Sequence, residues 1–359
     1  MLNKKSLWTM PVSFWHNIGF QVIAIILALA FTSLILVMAG APPLLAYKNI
    51  LEGAFSSSTQ ISNVLVAWVP LLLATTALLV TFTAGLWNIG IEGQITLGAI
   101  FTTGMLRLLL GSDLPPGIII LLGFLAGMLG GALWAFLAGA LKAFGGVNEI
   151  FGGLGLNFVA TALTIYLIFG PWKRPGVGSM SGTVPFPPSF MLPTLSGLRI
   201  SLWAIAIGIG GLAIIYLLIQ GTYFGLRLKA VGRNMRSSFL LGIPTTRYMI
   251  LSFIICGILA GTAGAIQVTG VYGRLIPSIS SGYGFLGLMV AMLIAYRAIW
   301  VIPVAFFFAA LNIGSIRLPI VLQLDSALSG ILQGSLVLFV LMMSGIQQRF
   351  FNNKGEKHP

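Results

Sequence analysis

From Ile18 to Ile346 the chain passes through one apolar run after another, each near the length of a membrane crossing, and few architectures accept such a sequence. An α-helix rises about 1.5 Å per residue and the hydrocarbon core of a bilayer is about 30 Å thick, so about 20 apolar residues cross once. Inside hydrocarbon the backbone must satisfy its own donors and acceptors, which a helix does within a single segment. The runs fall at residues 18–38, 64–84, 95–110, 117–141, 148–169, 200–220, 247–270, 285–299, 301–318 and 326–346. They predict an all-α integral membrane protein of about ten transmembrane helices, some of them broken or re-entrant. Hydrophobic residues make up 58% of the chain and charged residues 7%, against roughly 25% charged in soluble domains.

The few charges orient the spans. Gly221 to Arg247 is a polar island that carries Arg227, Lys229, Arg233, Arg236 and Arg247 and no acid. Cations beside spans resist translocation, which puts this loop in the cytoplasm. Ten crossings then place the N- and C-termini inside, together with Lys142, Arg297 and the tail cations Arg349, Lys354 and Lys357. Lys48, Arg107, Lys173, Arg174, Arg199, Arg274 and Arg317 fall outside, so the bias is clear without being absolute. Topology explains the net charge of +13; the cations sit at span ends rather than on one face among aromatics, so nucleic acid is not expected as a partner. Lys4 and Lys5 precede the first run and no small-residue cleavage site follows it, which reads as a retained first span. The expected organisation is a cytoplasmic segment at 1–17, a single transmembrane domain at 18–346 and a cytoplasmic tail at 347–359. Within that domain, 170–199 is an outer loop held extended by Pro171, Pro175, Pro185, Pro187, Pro188 and Pro193.

Small residues mark close packing. Gly123, Gly127, Gly131, Ala135 and Gly139 recur every fourth position and form one smooth helix face, and Gly257, Gly261 and Gly264 start a second. The lone cysteine, Cys256, lies within an apolar run, so no disulfide or thiolate metal site is expected and its role is packing.

Polar residues among the spans point to function. Gly85-Leu86-Trp87-Asn88-Ile89-Gly90-Ile91-Glu92-Gly93-Gln94 separates the second and third runs. Irregular backbone at membrane depth persists only where protein or water satisfies it, so the segment is either a re-entrant break lining a pathway or an inner-surface turn. Asn88, Glu92, Gln94 and the deeper Asn157 are the candidate pathway residues, because an amide or carboxylate in hydrocarbon requires a partner or a ligand. Asn148 and Glu149 suit a helix N-terminus. There is no phosphate-binding glycine loop ending in Lys and Ser or Thr, no His-Glu-x-x-His, and only His16 and His358 as histidines. Catalysis has no constellation to rest on, and no cofactor is implied.

These residues carry a resemblance. GLWNIGIEGQ at Gly85–Gln94 and GLRLKAVGRNMRSSFLLG at Gly225–Gly242 resemble the signature segments of permease subunits of bacterial ABC importers, in the branch that serves nucleosides and simple sugars. GVNEI at Gly146–Ile150 and GYGFLGLMVAMLIAYRAIWVIPVAFFFAALNIG at Gly282–Gly314 extend the likeness over about residues 60–345. The resemblance implies a multi-pass subunit of the bacterial cytoplasmic membrane. Its implied partners are two ABC ATPase subunits, a second and unlike permease, and an extracytoplasmic substrate-binding protein. Arg227, Lys229, Gly232, Arg233 and Asn234 match the positions that contact the ATPase, making 221–247 the coupling loop. The chain departs from the family where Met235-Arg236-Ser237-Ser238 replaces a proline followed by paired alanines.

Three other classes remain open. An ion-coupled secondary transporter would also use broken helices, with Glu92 and Asp325 as its acids. A gated channel would use Asn88 and Gln94 as a constriction, and a membrane enzyme would need a site not visible here. Neutral amides near aromatics such as Trp87 and Phe158 suit an uncharged, ring-bearing substrate. A nucleoside fits that description, and a ribose-type sugar fits it equally.

Overall fold

The computed structural model describes residues 12–176, 182–295, 297–323 and 327–351. Lys4, Lys5, Asp325, Lys354 and Lys357 lie outside the described residues, as does the side chain of Arg349. All regular structure among the described residues is helical: α1 (Val12–Met38), α2 (Pro43–Phe55), α3 (Ser58–Thr83), α4 (Ile91–Leu108), α5 (Pro116–Ala143), α6 (Glu149–Phe169), α7 (Leu202–Gly221), α8 (Tyr223–Arg233), α9 (Met235–Leu240), α10 (Thr245–Ile266), α11 (Tyr283–Leu293), α12 (Val301–Ser315), α13 (Arg317–Leu322) and α14 (Ala327–Phe351). A π-helical turn, Gln267–Tyr272, continues α10.

Among the described residues, six helical segments are long and apolar enough to cross a membrane: α3, α5, α6, α7, α10 with its π turn, and the run from Ala298 through α13. The pair α1 and α2, bent by 109°, makes a seventh if counted as one span. The chain is therefore a multi-pass membrane protein. Three of the expected runs do not give such a segment: the run at 95–110 becomes the 18-residue α4 with Glu92 and Arg107, the run at 285–299 yields the 11-residue α11, and in the run at 326–346 the apolar helix covers only Gly330–Met343.

The chain divides into two compact units. One takes in the described residues up to Gly53 and from Gly314 onward, and is built on α1 packed along α14. Thr32 and Ser335 pair their hydroxyls at 3.0 Å and Phe31 meets Phe339 edge to face, so a polar and an aromatic contact pin the two helices. In the same unit α2, which no apolar run signals, is amphipathic: Ala46 and Ile50 are buried while Glu52 pairs with Lys48 at 3.7 Å and with Arg317 at 3.1 Å.

The second unit, Ala54–Ile313, is centred on α3, buried from Ala67 to Phe82 and packed by α7, α10 and α11. The expected glycine stripes meet here. A methyl added to Gly131 would lie 2.7 Å from Gly261 Cα and overlap the Gly257 carbonyl, and one added to Gly264 would lie 2.7 Å from the Ala99 nitrogen. Thus α4, α5 and α10 touch backbone to backbone, as small residues allow. Among its described residues the proline-rich connection has turns and extended backbone, and no helix beyond the short 3-10 turn at Pro188–Phe190. It is also docked: Thr183 N–H donates to Leu275 O at 2.9 Å, Phe186 N–H to Gly273 O at 2.8 Å and Leu192 N–H to Thr269 O at 2.9 Å. Phe186 and Phe190 join Leu97, Val268, Leu275 and Ile279 in one apolar cluster.

Candidate functional site

The break between α3 and α4 gathers three of the four candidate pathway residues, Asn88, Gln94 and Asn157. After α3, Gly85 takes a positive φ of 73°, a backbone turn that a side chain would strain, and Leu86 N–H reaches back to Thr81 O at 2.9 Å. The chain then enters α4 through Gly90, which has no side chain to cap it. Asn88 and Gln94, both fully buried, form a reciprocal amide pair with both N–H···O distances at 3.1 Å. The second Asn88 proton goes to Cys256 Sγ at 3.1 Å. Asn157 reaches in from α6, donating to Ile89 O at 2.9 Å and accepting from Gly93 N–H at 2.8 Å. Its approach depends on a Gly90–Gly153 contact, since a methyl on Gly153 would lie 2.6 Å from Gly90 N. These three amides spend their hydrogen bonds on the protein and fix the shape of the break.

Glu92 points the other way, toward the start of α11. Its carboxylate accepts from Gly282 N–H at 3.0 Å and from Gly284 N–H at 2.7 Å, and so serves as the cap of a helix on a distant part of the chain. Among the described residues no cation pairs with it; charge-assisted bonds to helix amides hold it. The segment leading into α11 is held by Gln267, whose amide donates to Ile279 O at 3.1 Å and to Ser281 Oγ at 3.4 Å, while the Tyr272 and Ser281 hydroxyls pair at 3.0 Å. None of Gln267, Tyr272 and Ser281 stands among the candidate pathway residues read from the sequence. The available signal was the run Ser280-Ser281-Gly282-Tyr283-Gly284, polar and glycine-rich between two apolar stretches.

Asn148 caps α6 through Ile150 N–H at 2.9 Å, and the neighbouring Glu149 pairs with Lys142 at 2.7 Å across the α5–α6 turn. Trp87 packs edge-on against Phe82, and Phe158 lies exposed on α6.

The polar island forms two short helices, α8 and α9. Thr222 caps α8 through Gly225 N–H and Asn234 caps α9 through Ser237 N–H. Leu228 and Val231 are buried, and Phe224 stacks on Tyr248 of α10 at 5.3 Å. Arg227 reaches the Tyr248 hydroxyl at 3.4 Å and Lys229 binds Gln220 at 2.6 Å, whereas Arg233 and Arg236 are exposed. Tyr223, Leu226, Phe239, Leu240 and Leu241 are exposed beside them, giving a cationic, apolar surface. Gly232 faces the opposite way. A methyl on it would lie 3.0 Å from Gly85 N and overlap the Thr83 carbonyl, so the end of α8 rests directly on the backbone of the α3–α4 break.

The same segments fall within a match to known proteins. A family model described as "Branched-chain amino acid transport system / permease component" matches residues 60–341. The chain is 31% identical to the glucose ABC transporter permease protein TsgB13 of Haloferax volcanii, over 91% of this chain and 88% of that protein. It is 28% identical to the guanosine ABC transporter permease protein NupP of Bacillus subtilis, over 93% of this chain and 95% of that protein. To the nucleoside ABC transporter permease protein NupB of Lactococcus lactis it is also 28% identical, over 82% of each chain.

Proposed function

Since the chain belongs to the branched-chain amino acid transport system permease family, we propose that it is the transmembrane subunit of an ATP-driven importer that translocates a nucleoside. A binding protein on the outer side delivers the solute, two ABC ATPase subunits act from the cytoplasm, and a second, unlike permease completes the pathway. Residues 18–346 work as one permease domain crossing the bacterial inner membrane about ten times, with α4 and α11 among the crossings and both termini in the cytoplasm. The chain itself carries no ATPase site.

The observation that carries this reading is the seat of α8 on the α3–α4 break through Gly232 and Gly85. An exposed cationic loop that rests on an interrupted stretch of the bundle can convert docked ATPase motion into a change at the pathway. In this scheme Arg227, Lys229, Gly232, Arg233 and Asn234 form the ATPase-docking element. Asn88, Gln94 and Asn157 hold the pathway's frame, and Glu92 borders the pathway itself. A secondary transporter would have no use for such a loop.

A nucleoside is favoured by likeness to the guanosine and nucleoside permeases. A simple sugar is the second reading, supported by likeness to the glucose permease. The test is affinity purification from the native membrane with protein identification, joined to uptake of labelled nucleoside and of glucose or ribose with and without ATP. Co-purification of a P-loop ATPase and a second permease, with ATP-dependent nucleoside uptake, is the expected outcome. Recovery of the chain alone, with uptake indifferent to ATP, overturns the importer.

A further inference from the structure

The segment from Tyr272 to Phe285 leads into α11, which packs against the middle of the membrane-length helix α3. A methyl on Gly287 would lie 3.1 Å from Ala74 Cβ and from Thr75 N, in the middle of the 26-residue α3, and Gly282 lies little more than one turn earlier. Residues 273–282 nevertheless have no helix, and Ser281 holds a φ of 51°, unusual for a residue with a side chain. This irregular stretch has an open side. Tyr272 is 39% exposed and Phe285 42%, with Ser281, Gly282 and Glu92 half-buried between them. Hydrocarbon does not tolerate such a face, because irregular backbone and an ionisable group at this depth require protein or water against them.

We infer that Tyr272, Ser281 and Phe285, together with Glu92, form a water-lined wall of the translocation pathway that touches the solute. The assignment rests on the import reading above and adds the contact residues and the ligand chemistry. Two aromatic side chains offer flat apolar surface to a ring. The Tyr272 and Ser281 hydroxyls, 3.0 Å apart, donate and accept, and the Glu92 carboxylate, held by the amides of Gly282 and Gly284, sets negative charge beside them. That set suits a neutral ring bearing hydroxyl donors, as a nucleoside does, and it repels an anion.

The lone native thiol makes the test clean, because Cys256 is buried. Tyr272→Cys, Ser281→Cys and Phe285→Cys are placed singly in the complete importer, reconstituted in liposomes with its ATPase, second permease and binding protein. Ile214→Cys, on the exposed face of α7, is the reference. Each is treated with a cationic methanethiosulfonate, with and without excess nucleoside. Charge excludes the reagent from hydrocarbon, so the wall positions are expected to react at least about tenfold faster than Ile214→Cys, and to slow when nucleoside is present. Rates equal to the reference at all three positions overturn the wall. Fast labelling that nucleoside never slows overturns solute contact. Uptake by the unmodified importer, measured in parallel, reports on the import reading separately: loss of nucleoside uptake with labelling intact overturns the substrate, not the wall.

Discussion

Asn157 spends both ends of its side-chain amide on one turn of distant backbone, so its removal leaves Ile89 O and Gly93 N–H unpaired. A buried group without a partner costs about 1–3 kcal/mol. Asn157→Ala is expected to lower the melting temperature of the purified complex, read by differential scanning fluorimetry, and Thr161→Ala on the next turn of α6 to lower it less. Glu92→Gln keeps one acceptor for α11 and turns an N–H group toward the other amide. Uptake by that variant should fall while co-purification with the ATPase is retained, since the cap lies away from α8. The residue types at this site were legible because amides and an acid in an apolar setting need partners. The partners were not legible: Cys256 lies 168 positions from Asn88 and Gly284 lies 192 from Glu92. Cys256, expected only to pack, also accepts a hydrogen bond.

At the scale of elements, the glycine stripes on α5 and α10 were readable as a spacing of four, and they meet backbone to backbone. Gly131→Ala is expected to destabilise by about 1–3 kcal/mol through overpacking. Gly155→Ala, where a methyl meets open space, should be neutral or stabilise by up to about 1 kcal/mol. Comparing the two melting temperatures separates packing from helix propensity. What the pattern missed has a physical cause. In α2 the apolar residues are interrupted by Tyr47, Lys48, Asn49 and Glu52, so no run of crossing length exists to mark it. The hydrogen bonds of the proline-rich connection to residues 269–275 join segments far apart in sequence, which proline spacing does not signal.

For the whole molecule, function depends on which surfaces other chains cover. Arg233 is exposed on the rim of the cationic, apolar surface made by α8 and α9. Arg233→Glu should therefore reduce ATPase recovery in a pull-down without changing the chain's own melting temperature, and unaltered recovery would rule out docking there. Gly232→Ala probes the inner side of the same loop. The complex should still assemble and hydrolyse ATP, but with less solute moved per ATP, measured in proteoliposomes. The Gly232–Gly85 contact explains why so small a change should register. Side chains give way: a lysine or leucine between two moving parts takes up an ångström by changing rotamer, and part of the stroke is lost as slack. Main chain pressed on main chain has no such compliance, so this joint behaves as a stiff bearing, and a displacement arriving at α8 leaves through the break almost undiminished.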